Sequence, residues 1–286
     1  MSVGVASLLG LWQRSLIEWP DGRRDSTSRV YWLQGLSMCI DLRQPPSPAP
    51  GGFADVRSHT ELSALQCAWL AQQQGFAGVC SFDGHHYVWS RSIDFQPRAT
   101  LPDAGSLHWD GAVLVETGRD LPYVEHWHRT SAATQPVAAA QLRDTDDGRA
   151  GALLRVGAVF MFARDRSQPL AEGATQGNSV HGDSLLEHVN GATTLRDAQE
   201  RVNCEISFGQ VLASGFRITA STLPWRIGAR LAPQLGSAHL STLEGAALAA
   251  ATTRRWQIVR LEGDVQALVA PQAMHENPIV SKKELQ

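Results

Sequence analysis

The stretch YVEHWHRT, Tyr123–Thr130, decides the fold, because every second residue has the same character. In an extended strand alternate side chains share a face. Tyr123, Glu125 and Trp127 then point one way, and Val124, His126 and His128 the other. Aromatic residues fill interiors better than histidines do, so the expectation is a barrel strand with Tyr123, Glu125 and Trp127 inside and both histidines outside. The competing reading is a metal site. A His-x-His pair on a strand needs a third ligand, for which His85, His86 and His108 are the candidates. The outward reading is adopted, with no metal and no cofactor.

Working back from this strand, short strands recur at close spacing. LLGLWQRSLIEW (Leu8–Trp19) ends at the Pro20-Asp21-Gly22 turn. TSRVYWLQ and MCIDLR follow, then the proline-rich loop Gln44–Gly52. SHTELSALQCAWLAQQQG predicts a helix, with a capping box from Ser58 and Glu61. Leu62, Leu65 and Trp69 form its apolar face, and Gly75 ends it. FAGVCSF, HHYVWSRSIDFQP, and a hairpin turning at Asp110-Gly111 lead to Tyr123. Eight antiparallel strands with one helix inserted after the third predict a closed barrel over residues 1–131.

Ser131–Ala140 reads as a linker, opening a second, smaller β-barrel-like domain over 132–270. Its expected elements are one long strand Ala152–Arg164, two short helices near Ser184–Val189 and Leu195–Val202, and strands at Cys204–Val211, Gly215–Ser221 and Arg255–Glu262. Residues 271–286 read as a disordered polar tail. The fold class is therefore mainly β, two tandem antiparallel barrels.

Gly10-Leu11-Trp12 resembles the Gly-x-Trp of lipocalins, and the resemblance implies an arginine of the last strand, here Arg129, lying over the tryptophan at the closed end. Phe76–Gly78, Trp109–Gly118 and Tyr123–Trp127 resemble the first half of a little-studied family whose yeast member is named for interacting with casein kinase I. Cys204–Gly209 and Trp256–Val259 resemble its second half. The resemblance implies two lipocalin-like barrels in tandem and supplies no reaction. No motif for a kinase partner is visible. Positions 126 and 128 depart from the family pattern, which carries no histidine there.

Composition narrows the function. The 286 residues are 43% hydrophobic and 19% charged with a net charge of −3, enough for real cores and without a basic patch for nucleic acid. No apolar run approaches a membrane span, and the opening residues read as a first strand, not a leader. Cys39, Cys67, Cys80 and Cys204 share no CxxC spacing, which suits buried thiols in a reducing cytoplasm. Lysine occurs only at Lys282 and Lys283, so Schiff-base and Walker-type chemistry lack their key residue in the folded part.

The expected site lies inside the first barrel. Trp12, Trp32, Trp89 and Trp127 are core by default and a ligand-stacking box by the sharper reading. An inward Glu125 needs a partner, with Arg91 the natural candidate and Arg14 the second. Such a pair either satisfies itself or orients the polar or acidic end of a small, largely apolar or amphipathic ligand. The alternative function is a cofactor-independent isomerase, lyase or cyclase with Glu125 as acid or base and Arg91 or Tyr123 stabilising charge. Glu116 and Asp94 are second choices, whose plainer reading is surface or turn chemistry. A third possibility is a protein–protein scaffold with filled barrels. Gly182-Asp183-Ser184-Leu185 spells the block of GDSL hydrolases but lacks a following Asp-x-x-His, and a helix cap is the plainer account.

Overall fold

The computed structural model describes residues 4–46, 51–130, 134–170, 184–245 and 252–269. The first barrel is built from β1 (Gly10–Glu18), β3 (Arg29–Gln34), β4 (Met38–Gln44), β5 (Gln74–Phe82), β6 (Tyr87–Asp94), β7 (Ala104–Asp110), β8 (Val113–Gly118) and β9 (Val124–Arg129). Each strand pairs antiparallel with the next, and β9 returns to β1 to close eight strands. A two-residue strand, β2 (Arg24–Asp25), lies on the far end of β1. A short 3-10 turn, Val5–Leu8, precedes β1, and its Leu8 carbonyl accepts the Trp12 indole N–H at 2.6 Å.

The second barrel also closes with eight antiparallel strands: β10 (Val137–Asp144), β11 (Ala150–Val156), β12 (Val159–Arg164), β13 (Glu205–Leu212), β14 (Gly215–Ser221), β15 (Arg230–Leu235), β16 (His239–Gly245) and β17 (Thr252–Gly263). Several expectations change here. Ala152–Arg164 is not one strand but the β11–β12 hairpin, because Gly157 turns the chain at φ +60°. The expected linker is only partly one, since Val137–Ala140 already belongs to β10. The strands β15 and β16 were not anticipated.

The inserted helix is shorter than expected. Ser58 precedes a 3-10 turn (His59–Glu61), and Glu61 accepts the Arg57 backbone N–H at 2.7 Å. Leu62 then takes an extended conformation and interrupts the helix. The capping box that forms is Ser63 with Gln66, at the start of α1 (Ala64–Leu70). Leu65 is exposed, so it is not part of a buried helical face. The two later helices form as expected, α2 (Leu185–Asn190) and α3 (Leu195–Arg201). Ser184 caps α2 in a capping box with Glu187. The rest of the Gly182–Leu185 block, and the tail 271–286, lie outside the described residues.

Three apolar clusters organise the molecule. One fills the first barrel and includes Leu8, Trp12, Val30, Trp32, Cys39, Tyr87 and Trp127. A second fills the other barrel around Phe160, Phe162, Phe216 and Trp256. The largest lies between the barrels, where Leu33, Ile40, Leu42 and Ile93 meet Ala139, Leu154, Met161 and Ile206. Alternation explains this: a strand with both faces buried sends one set of side chains into its lumen and the other into the joint. Tyr31 and Phe208 stack across the joint with ring centroids 4.4 Å apart.

Candidate functional site

Alternation holds through β9. Glu125 and Trp127 are buried, His126 is half-buried, and His128 is exposed, 2.8 Å from the Ser15 hydroxyl. Among the described residues no group of three or more His, Cys, Asp and Glu side chains is arranged to hold a metal ion. Arg129 extends over the Trp12 ring, 4.6 Å from its centroid, at the end that Val5–Leu8 covers.

The lumen of the first barrel divides in two. The half nearest Trp12 is aromatic. Trp32 lies 5.9 Å from Trp12, 6.0 Å from Trp89 and 5.4 Å from Trp127, between ring centroids. All four expected tryptophans are thus inside, the other three gathered around Trp32. Trp109, which was not singled out for this role, adds a ring 5.8 Å from Trp12 while remaining partly exposed. Two donors in this half, the Trp32 indole N–H and the Tyr87 hydroxyl, are buried without a hydrogen-bond partner among the described residues. A buried unsatisfied polar group costs about 1–3 kcal/mol.

The other half is charged. Glu125 accepts from Arg14 at 2.6 Å and from Arg43 at 3.0 Å. Arg14 also holds Asp25 at 3.0 Å, and Arg43 holds Asp41 at 2.8 Å. Arg91 does not pair with Glu125, contrary to the first expectation. It donates to Asp94 at 3.0 Å and to Asp103, and lies over the Phe76 ring. The reason is local pairing: Asp94 lies three residues along from Arg91 and Asp103 just before the neighbouring β7, while Arg14 sits on β1, hydrogen-bonded to β9, and Arg43 reaches Glu125 across the lumen from β4. Arg43, Asp41 and Asp103 were missed. Their signal was the inward parity of β4 for the first two; Asp103 precedes β7 and had none.

Glu116 and Asp94 are buried rather than on the surface or in turns. Glu116 lies directly across from Glu125 in the β8–β9 register, facing the same lumen. Unlike Glu125 it pairs with no cation among the described residues. Tyr123 Oη donates to its Oε1 at 2.7 Å and Trp127 Nε1 to its Oε2 at 3.0 Å. Burial, with the nearby Glu125 and Asp103, pushes its carboxyl far above the usual range, to about 8. Burial and the Glu116 carboxyl push the Tyr123 phenol up in turn. Desolvation also raises Asp41 and Asp94.

Chemically, the site joins a carboxyl poised to carry a proton at neutral pH, a tyrosine hydroxyl bonded to it, and a second carboxylate held by two guanidiniums. Arg91 and Asp103 are partly exposed, beside the short β6–β7 pairing at Tyr87–Gly105 and Val88–Ala104. Arg14, Arg43 and Arg91 are each already engaged by two carboxylates. Two surface hollows lie elsewhere. One of about 260 Å³ is bordered by Ala64, Val189 and Leu195, and one of about 400 Å³ by Gln234, His239 and Arg255.

Neither a family model nor a curated protein matches the sequence. Among solved structures, the chain is similar to the uncharacterized protein YLR301w from Saccharomyces cerevisiae, at 11% identity and a TM-score of 0.47, over 88% of this chain and 98% of the yeast chain. The likeness is distant and speaks to no ligand, reaction or partner. No helix among the described residues is long and apolar enough to cross a membrane.

Proposed function

We propose that the first barrel is a lipocalin-like module that binds a small, largely apolar molecule with uncharged polar groups at one or both ends. The observation that carries this reading is Glu116, a buried carboxyl that pairs with no cation among the described residues and stands where the charged half of the lumen meets the tryptophans. A purely structural core gains little from such a group, because burying it is unfavourable whether it is charged or merely protonated. Clusters of shifted titratable groups instead concentrate at functional sites. The ligand's polar group would meet Glu116 and Tyr123, and its apolar body the tryptophans. Four buried thiols suit a reducing compartment, so the proposed location is the cytoplasm.

A second reading is favoured by the opposition of Glu116 and Glu125. Two facing carboxyls in unlike environments suit a cofactor-independent isomerase, lyase or cyclase, with Glu116 as acid and Tyr123 stabilising developing charge.

The test is native mass spectrometry of the full chain, followed by denaturing analysis of whatever it carries. A retained small molecule supports the binding reading. A clean mass, with no change in tryptophan fluorescence across a library of small neutral compounds, overturns it and favours a scaffold. Once a ligand is in hand, Glu116→Gln separates the two readings: a binder keeps its affinity, whereas an enzyme loses turnover.

A further inference from the structure

Trp32 and Tyr87 are the donors that nothing so far explains. Both are 2% exposed and both line the first barrel. Trp32 has an aromatic neighbour on each side but, among the described residues, no acceptor for its indole N–H, and the Tyr87 hydroxyl likewise meets none there. They flank the same residue, with the Trp89 ring centroid 6.0 Å from that of Trp32 and 6.4 Å from that of Tyr87. Two donors left unpaired around one tryptophan are not required for packing, since phenylalanine would fill either position with apolar atoms alone.

We infer that the aromatic half of the first barrel receives the hydrogen-bond acceptor oxygen of an uncharged ligand, a ketone or similar carbonyl, held by the Trp32 indole N–H and the Tyr87 hydroxyl. The inference rests on the binding reading above and names the ligand's chemistry. A carbonyl oxygen has two lone pairs and can accept from both donors at once. Burial raises the Tyr87 phenol above its ordinary value, so it stays a donor. A carboxylate ligand is disfavoured, because the guanidiniums over this cluster's rings are already engaged, Arg43 and Arg91 by two carboxylates each and Arg129 by the Ser7 carbonyl, and an unpaired buried anion is strongly unfavourable. A cation is disfavoured because indole N–H groups only donate. The ligand's oxygen thus sits deep among the tryptophans, and a second polar group, where it has one, reaches Glu116 and Tyr123 at the charged half.

The experiment titrates the full chain with three probes of matched size, cyclohexanone, cyclohexanecarboxylate and methylcyclohexane, by ligand-observed NMR. It is repeated on Tyr87→Phe, which preserves the ring, and on Trp32→Phe. The expected result is that cyclohexanone binds best to the wild type and loses about tenfold in affinity in Tyr87→Phe, the effect of one lost hydrogen bond. Methylcyclohexane binding should not change in that variant. Equal ketone affinity in wild type and Tyr87→Phe overturns the inference, as does tighter binding of the carboxylate or the hydrocarbon. In either case the binding reading survives, because a probe has bound. If no probe binds while native mass spectrometry finds a retained molecule, the carbonyl class is overturned and the binding reading stands. If no probe binds and the mass is clean, both fall. Trp32→Phe is read only if its thermal melt matches a folded protein, and Tyr87→Phe carries the test alone otherwise.

Discussion

The Glu116 carboxyl ties the first barrel's stability to pH. Glu116 faces Glu125 across the β8–β9 register, with Tyr123 and Trp127 as its hydrogen-bond donors among the described residues, while Glu125 takes the Arg14 and Arg43 guanidiniums. In the folded chain Glu116 titrates near 8 against 4.5 as its ordinary value. Between those values the folded state holds a proton that the unfolded state releases, so its contribution to stability is full below about 4.5 and is lost as pH rises toward 8. The expected loss from this group across that interval is on the order of 5 kcal/mol. Glu116→Gln, which keeps the shape and cannot ionise, should flatten that part of the slope, and urea unfolding at pH 5, 6.5 and 8 measures it. A slope unchanged in the variant would mean that Glu116 is charged in the folded protein. Charge at Glu125 contributes to the shift, so Glu125→Gln should bring Glu116 down. Carbon-13 NMR titration of labelled glutamate carboxyls reads this directly, and an unmoved Glu116 would leave burial as the whole cause.

Strands of this protein are joined so closely that backbone contacts, rather than side chains, limit some positions. At Gly78 a β-bulge shifts the β5–β6 register, and an added Cβ would stand 2.1 Å from the Ser90 carbonyl oxygen. Gly78→Ala should therefore part β5 from β6 and lower stability by at least about 2 kcal/mol, seen as a lower urea midpoint; a neutral result would show that the bulge can relax. The same bulges mark where sequence reading succeeded and failed. The inward faces of Trp12, Trp89, Tyr123, Glu125 and Trp127 were legible because alternation is local. Partners across the lumen were not, because they depend on which strands are neighbours and where the register slips. Arg14 reaches Glu125 beside a bulge in β1, and Arg43 reaches it from β4. In the second barrel β15 and β16 escaped notice because RLAPQL and HLSTLEG carry proline, glycine and weak alternation. The long apolar run over 152–164 hid a two-residue turn, since apolar residues on both sides of Gly157 serve the lumen and the joint alike.

The two barrels share the largest apolar cluster, and this should make them unfold as a single cooperative unit. Leu33, Ile40 and Ile93 from one side and Leu154, Met161 and Ile206 from the other pack into that one buried cluster. Polar ties reinforce the joint. Arg166 donates to the Asp94 and Phe95 carbonyls, the second at 2.6 Å. Glu262 on β17 accepts from Ser37 and from the Met38 backbone N–H. The Asp94 carboxyl meanwhile belongs to the charged half of the lumen, so the joint and the candidate site share a residue. Each barrel folded alone would expose the apolar outer faces of its joint strands, a liability for strands in water. The full chain should therefore unfold in one transition, with the calorimetric and van't Hoff enthalpies equal. Tyr31→Ala removes one ring of the stack with Phe208 and should cost about 3 kcal/mol. It should also lower the midpoint by the same amount whether unfolding is followed at Trp127 in the first barrel or Trp256 in the second, each isolated by replacing the other tryptophans with phenylalanine. Midpoints that separate, with only the first barrel weakened, would mean that the shared cluster does not couple the barrels and that the site in the lumen is insulated from its neighbour.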